Sequence, residues 1–169
     1  MKDNTVLTPH FKLREFTESA TAMKHGIANV PPPEAVENLQ RLCTHTLEPL
    51  REKLGLPIVI TSGYRTKELN DIIVHASRKS QHMSGQAADF YVAQGPVQGS
   101  RVQGSRELLI QAFRLIIEDE SIDFDQLIIY PTFIHVSYVS KEKNRHQLTR
   151  ASSNGAYTAL SRADALALV

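Results

Sequence analysis

Two short runs in this chain alternate their side chains as a half-buried β-strand requires. In Ala87-Ala88-Asp89-Phe90-Tyr91-Val92, Asp89 and Tyr91 oppose Ala88, Phe90 and Val92. In Phe133-Ile134-His135-Val136-Ser137-Tyr138, Phe133, His135 and Ser137 oppose Ile134, Val136 and Tyr138. Each run has an apolar face suited to a core and a more polar face that carries one titratable side chain. Pro57 to Thr61 is a third strand-like run, rich in β-branched residues. Asp125 to Tyr130 pairs with Phe133 to Tyr138 as a hairpin around Pro131-Thr132.

Helical patterns surround these runs. Val36, Leu39, Leu42, Cys43, Leu47, Leu50 and Leu54 recur at helical spacing, with Pro49 expected to kink or split the helix and Gly55 to end it. Ser105 is placed to cap a second amphipathic helix carrying Leu108, Leu109, Ala112, Phe113, Ile116 and Ile117. Thr66 to about Val74 predicts a short helix. Thr8 is expected to cap another from Pro9 to Phe16. The stretch from Thr17 to Val30 reads as a surface wrap, and the tandem repeat within Gln94 to Arg106 as an extended loop. The tail from Asn144 turns Ala/Leu-rich towards Val169 and reads as a loosely packed helix without chemistry. The class is α+β, a small, mainly antiparallel sheet flanked by helices in one domain over residues 1–169.

Composition narrows the function. The net charge of +1 offers no field for nucleic acid or an anionic membrane, and no apolar run is long enough to span a bilayer. The sole cysteine, Cys43, excludes an internal disulfide and a multi-cysteine metal site, and fits a buried small hydrophobe. Met1-Lys2-Asp3-Asn4 leads into no apolar stretch, so no secretory signal is expected. The chain is expected to be made in the cytoplasm.

The candidate chemistry lies in three residues. His82 stands in the polar run from His75 to Gln86, seven positions before Asp89, with Gly85 free to turn the chain between them. If the two strands are neighbours with polar faces aligned, Asp89 and His135 meet His82 at one metal ion. Two imidazoles and a carboxylate leave a position open and a net positive centre, as a catalytic zinc site requires. A structural or surface role is the alternative for each. His10, His25, His45, His75 and His146 have no comparable setting.

Ser80-Gln81-His82-Met83-Ser84-Gly85-Gln86-Ala87-Ala88-Asp89 resembles the Ser-x-His-x-x-Gly-x-Ala-x-Asp signature of the zinc D-Ala-D-Ala carboxypeptidases, whose relatives include phage endolysin peptidases and the hedgehog signalling domain. Ser62-Gly63-Tyr64-Arg65 is similar to the family's Ser-Gly-Tyr-Arg block, and Ile134-His135-Val136-Ser137 to its closing hairpin. The resemblance runs from about His10 to Leu148. It implies that His82, Asp89 and His135 hold zinc, that Arg65 binds substrate, that the substrate is a peptidoglycan stem peptide cleaved at or near D-alanine, and that the chain acts at the cell wall after release or export. Ser80 could support the site by hydrogen bonding, and Tyr64 is either a wall of the cleft or a core residue. Arg65 has a structural alternative, a bond to the Glu68 to Asn70 turn.

The chain departs from the family pattern where an acid commonly precedes the last histidine. Ile129-Tyr130-Pro131-Thr132-Phe133-Ile134 holds none, and Tyr130 stands at that place. Asp125 and Tyr130 are the catalytic candidates, with Asp123 nearby. A phenol is a poor base at neutral pH but a competent donor to an oxyanion. The missing acid also supports a second reading, a zinc-containing peptidoglycan-binding module with little or no hydrolysis.

Overall fold

The computed structural model describes residues 5–74, 76–95 and 104–168. Its centre is a six-stranded sheet in the order β3-β4-β6-β5-β7-β8. The strands are β3 (Ile58–Ser62), β4 (Ala87–Val92), β5 (Gln126–Ile129), β6 (Ile134–Ser137), β7 (Gln147–Ala151) and β8 (Tyr157–Ala159). All neighbours are antiparallel except β5 and β7, which run parallel. The α+β expectation holds.

Alternation decides which face is closed. Phe90 and Val92 of β4, Leu127 and Ile129 of β5, and Ile134 and Val136 of β6 are fully buried. They join Leu39 and Leu42 of α3 (Pro33–Leu42), Leu50 of α4 (Glu48–Leu54) and Leu109, Phe113 and Ile116 of α6 (Arg106–Glu118) in one apolar cluster. Burying such side chains contributes about 1.5–3 kcal/mol each, an upper estimate because the unfolded chain is already partly collapsed.

Helix boundaries follow local chemistry. Ser105 accepts from the Leu108 amide, and Thr66 caps α5 (Lys67–Ile72) through Leu69. Between α3 and α4 the chain widens into a π-helical turn at Cys43–Leu47. Pro49, which has no amide hydrogen to donate, follows directly, and the helix stops at Gly55 as expected. Cys43 is buried, and burial pushes its thiol up.

Three expectations need correction. Thr8 does not cap a helix. Val6–Thr8 (β1) and Phe11–Lys12 (β2) form a small hairpin, and α1 begins only at Leu13 (Leu13–Thr17). This turn buries Phe11 and places His10 on the Glu48 carboxylate. The wrap after Thr17 contains α2 (Ala20–His25), capped by Ser19. The tail is not simply a loosely packed helix: it supplies β7 and β8 before a short α7 (Arg162–Leu166). The repeat-bearing loop lies mostly at 96–103, outside the described residues, as does His75. No described helix is long and apolar enough to cross a membrane.

Candidate metal centre

β4 and β6 are paired with Asp89 directly opposite His135, both on the face turned away from the helices. His82 reaches them from a 3-10 turn (Gln81–Ser84) that precedes β4. Ser80 caps this turn, and Asn38 donates to the Ser84 carbonyl at 2.9 Å, tying it to α3. Gly85 leaves the turn with φ 71, and a Cβ there would lie 2.3 Å from the Ala35 carbonyl oxygen. Only glycine suits both conditions.

His82 is 2% exposed, and its Nδ1 lies 2.7 Å from the Gly63 carbonyl oxygen. A carbonyl can only accept, so Nδ1 carries the hydrogen and Nε2 presents a lone pair. Burial, the largest influence, lowers the His82 pKa and keeps that nitrogen unprotonated. His82 Nε2 is 3.3 Å from His135 Nδ1 and 3.3 Å from Asp89 Oδ1, and His135 Nδ1 is 2.8 Å from Asp89 Oδ1. Burial works against ionised Asp89, yet the neighbouring histidines hold its carboxyl well below the usual range.

The three ligand atoms fit a metal ion. Tetrahedral ligands at about 2.05 Å stand about 3.3 Å apart, the length of two edges of this triangle. The donor set, two nitrogens and one oxygen among residues that line a cleft, is of the kind that could hold a metal ion.

The cleft has a volume of about 900 Å³ and includes Arg65, Ser80, Gln81, Asp125, Tyr130 and Tyr157 in its lining. Arg65 leaves the turn after β3. Its backbone amide donates to the His82 carbonyl at 3.1 Å, and its Nη2 lies 3.4 Å from Ser80 Oγ. Its buried Nε has no partner. The Glu68 to Asn70 turn takes no bond from this guanidinium among the described residues. Asn29, read from sequence only as a turn former, clamps this segment: its amide donates to the Thr17 and Tyr64 carbonyls and accepts from the Thr66 amide. Tyr64 itself packs in the apolar cluster and is absent from the cleft lining.

Asp125 does line the cleft, but its oxygens are occupied. Arg145 donates to Oδ1 from Nε at 2.8 Å and from its backbone amide at 2.9 Å, and to Oδ2 from Nη2 at 2.5 Å. Gln81, beside His82, donates to Oδ2 at 2.9 Å. Burial opposes ionisation, but these bonds hold the Asp125 pKa at about 2. Such a carboxylate is a weak base, and it anchors the turn that carries His82. Asp123 pairs with His146 and lies outside this cleft.

The Asp125 pKa is depressed from an ordinary 3.8 to about 2. Its contribution is therefore present above about pH 4 and lost as pH falls through 2, and amounts to about 2 kcal/mol. Melting curves at stepped pH should show the wild type losing stability over that window. Asp125→Asn should already be less stable at pH 7 and lose less below pH 4. Parallel pH curves for the two proteins would refute the assignment.

Tyr130 stacks on Phe133, with ring centres 4.2 Å apart, and its hydroxyl is 2.9 Å from that of Tyr157. Burial, then the Tyr157 bond, pushes its phenol up, so at neutral pH it donates and does not act as a base. Among the described residues, Asp89 and Asp125 are the acids in the cleft lining.

A family model described as Peptidase M15 matches residues 9–114, and no curated protein matches the chain. The chain belongs to peptidase family M15. The family is one of metallopeptidases, so membership implies metal-dependent hydrolysis of a peptide. The matched span of this M15 chain includes Arg65, His82 and Asp89 and stops before His135. It is the sheet pairing that brings His135 to the other two.

Proposed function

We propose that this protein is a zinc peptidase that cleaves bacterial cell-wall stem peptides at or near D-alanine, with His82, Asp89 and His135 as the metal ligands. One observation carries the reading: three potential ligand atoms converge, two of their separations at the tetrahedral edge length, on the wall of a cleft that also holds an under-used guanidinium. A zinc ion bound there supplies Lewis acidity to the scissile carbonyl and to an attacking water.

The chain's own residues hold and orient the reactants, and none of the acids in the described lining is free to serve as general base. The Gly63 carbonyl fixes the His82 tautomer. Arg65, steadied by Ser80, grips the terminal carboxylate of the peptide with its free donors. Tyr130 donates its hydroxyl hydrogen to the carbonyl oxygen as negative charge develops there. A second reading, a zinc-containing peptidoglycan-binding module, draws on one observation. The acids of the cleft are taken up by the metal triad and by Arg145, leaving no free carboxylate among the described lining residues.

Zinc-loaded protein incubated with muropeptides should release D-alanine or a shortened peptide, followed by mass spectrometry. Binding of the same peptides without any product would replace the hydrolase with the binding module. Arg65→Ala removes charge-assisted bonds worth about 1.5–3 kcal/mol, so kcat/KM should fall roughly 10- to 100-fold, chiefly through KM. Arg65→Lys should recover only part of it, because an ammonium cannot match the fork. Unchanged KM in both variants would remove Arg65 from the substrate's path.

A further inference from the structure

The sheet continues for three strands past His135, and all three lie beyond the residues matched to the family. The register draws a line across them. Asp89 pairs with His135, His135 with Ile128, Ile128 with Thr149, and Thr149 with Ala159. Directly paired residues share a face, so Ile128 and Thr149 continue the face that bears the metal triad.

On either side of this line a cross-strand bond raises a rim. Gln126 Nε2 donates to Gln147 Oε1 at 2.8 Å on one side. The Tyr130 and Tyr157 hydroxyls meet at 2.9 Å on the other. All six of these side chains, floor and rims, line the same cleft as His82, Asp89 and His135. The result is a trough with an uncharged floor, amide and phenol rims, and one end at the metal triad.

Its length can be read from the sheet. Strands are about 4.8 Å apart, so Thr149 is about 10 Å from His135, the reach of about three extended residues. Arg65 comes from the turn after β3, at the opposite side of the triad. We infer that the β5–β7–β8 trough binds an extended peptide segment of about three residues on the amino side of the scissile bond. The substrate class is then a peptide of at least about four residues rather than a free dipeptide. This rests on the proposed function, in which Arg65 takes the terminal carboxylate.

Two probes test it on the zinc-loaded 169-residue chain: a pentapeptide stem ending in D-Ala-D-Ala, and the dipeptide D-Ala-D-Ala. Affinity is read by calorimetry and turnover by mass spectrometry. The wild type should favour the pentapeptide at least tenfold. Tyr157 and Gln147 are both exposed, so Tyr157→Ala and Gln147→Ala should fold normally, with melting curves as the check. Each should weaken pentapeptide binding about tenfold and leave the dipeptide within twofold. Equal treatment of the two probes by the wild type, or equal losses on both in the variants, overturns the trough. Pentapeptide binding without cleavage, still lost in Tyr157→Ala, upholds the trough and defeats only the hydrolytic reading.

Discussion

His135→Ala should reduce bound zinc from about one per chain to a small fraction and cut kcat/KM by more than roughly 1000-fold, because a lost ligand costs more than the 10- to 100-fold typical of outer partners. His135 Nδ1 is within 3.3 Å of His82 Nε2 and 2.8 Å of Asp89 Oδ1, so its removal opens one corner of the donor triangle. Two protein ligands rarely hold zinc against water, since catalytic sites use three. The fold should survive, because His135 occupies the open face of the sheet, while Ile134 and Val136 hold β6 to the core. Metal analysis after dialysis, with activity on muropeptides, reads both effects. His45→Ala is the matched control. That histidine is exposed and stacks on Tyr138 with ring centres 4.8 Å apart, away from the cleft lining, so zinc and activity should persist. Full zinc content in His135→Ala would place the metal elsewhere.

The legible part of this site was the part written in alternation. Asp89 and His135 each interrupt a strand whose other face is apolar, and that pattern alone required both to point away from the core. Their direct pairing was a condition left to the fold, and the register supplies it. Other features were hidden because their causes are distant in sequence. Asp125 reads as a free acid until Arg145, twenty positions later, is seen on both of its oxygens. The β7 strand lies parallel to β5, a pairing that no turn signals, and β8 is exposed at all three positions, so the tail offered composition without periodicity. Thr8-Pro9 carried a good helix-start signal. Tertiary burial of Phe11 and the pairing of β1 with β2 outweigh it. The partner of His82 Nδ1 is a main-chain oxygen, which no side-chain pattern announces.

That main-chain oxygen belongs to Gly63, and Gly63→Ala should damage both the fold and the metal centre. A Cβ at this position would lie 2.5 Å from the Phe16 Cα and 2.5 Å from its carbonyl oxygen. Both are backbone atoms, so no side chain can rotate away. Phe16 is fully buried, and its carbonyl accepts the Tyr64 amide at 2.7 Å, which locks the two segments together on each side of the contact. Relief requires α1 to move off β3 or the 62–65 turn to shift. Overpacking of this kind costs about 3 kcal/mol. In a chain of this size that lowers the melting temperature by roughly 6–12 °C. The same movement displaces the acceptor that fixes the His82 tautomer, so zinc affinity should weaken together with stability. Zinc stabilises whichever state binds it, and the rise in melting temperature on adding the metal should therefore be smaller for Gly63→Ala than for the wild type. A variant that melts within about 2 °C of the wild type would show the contact to be readily relieved. One that is destabilised yet keeps the full zinc-induced rise would break the link drawn between this turn and the metal centre.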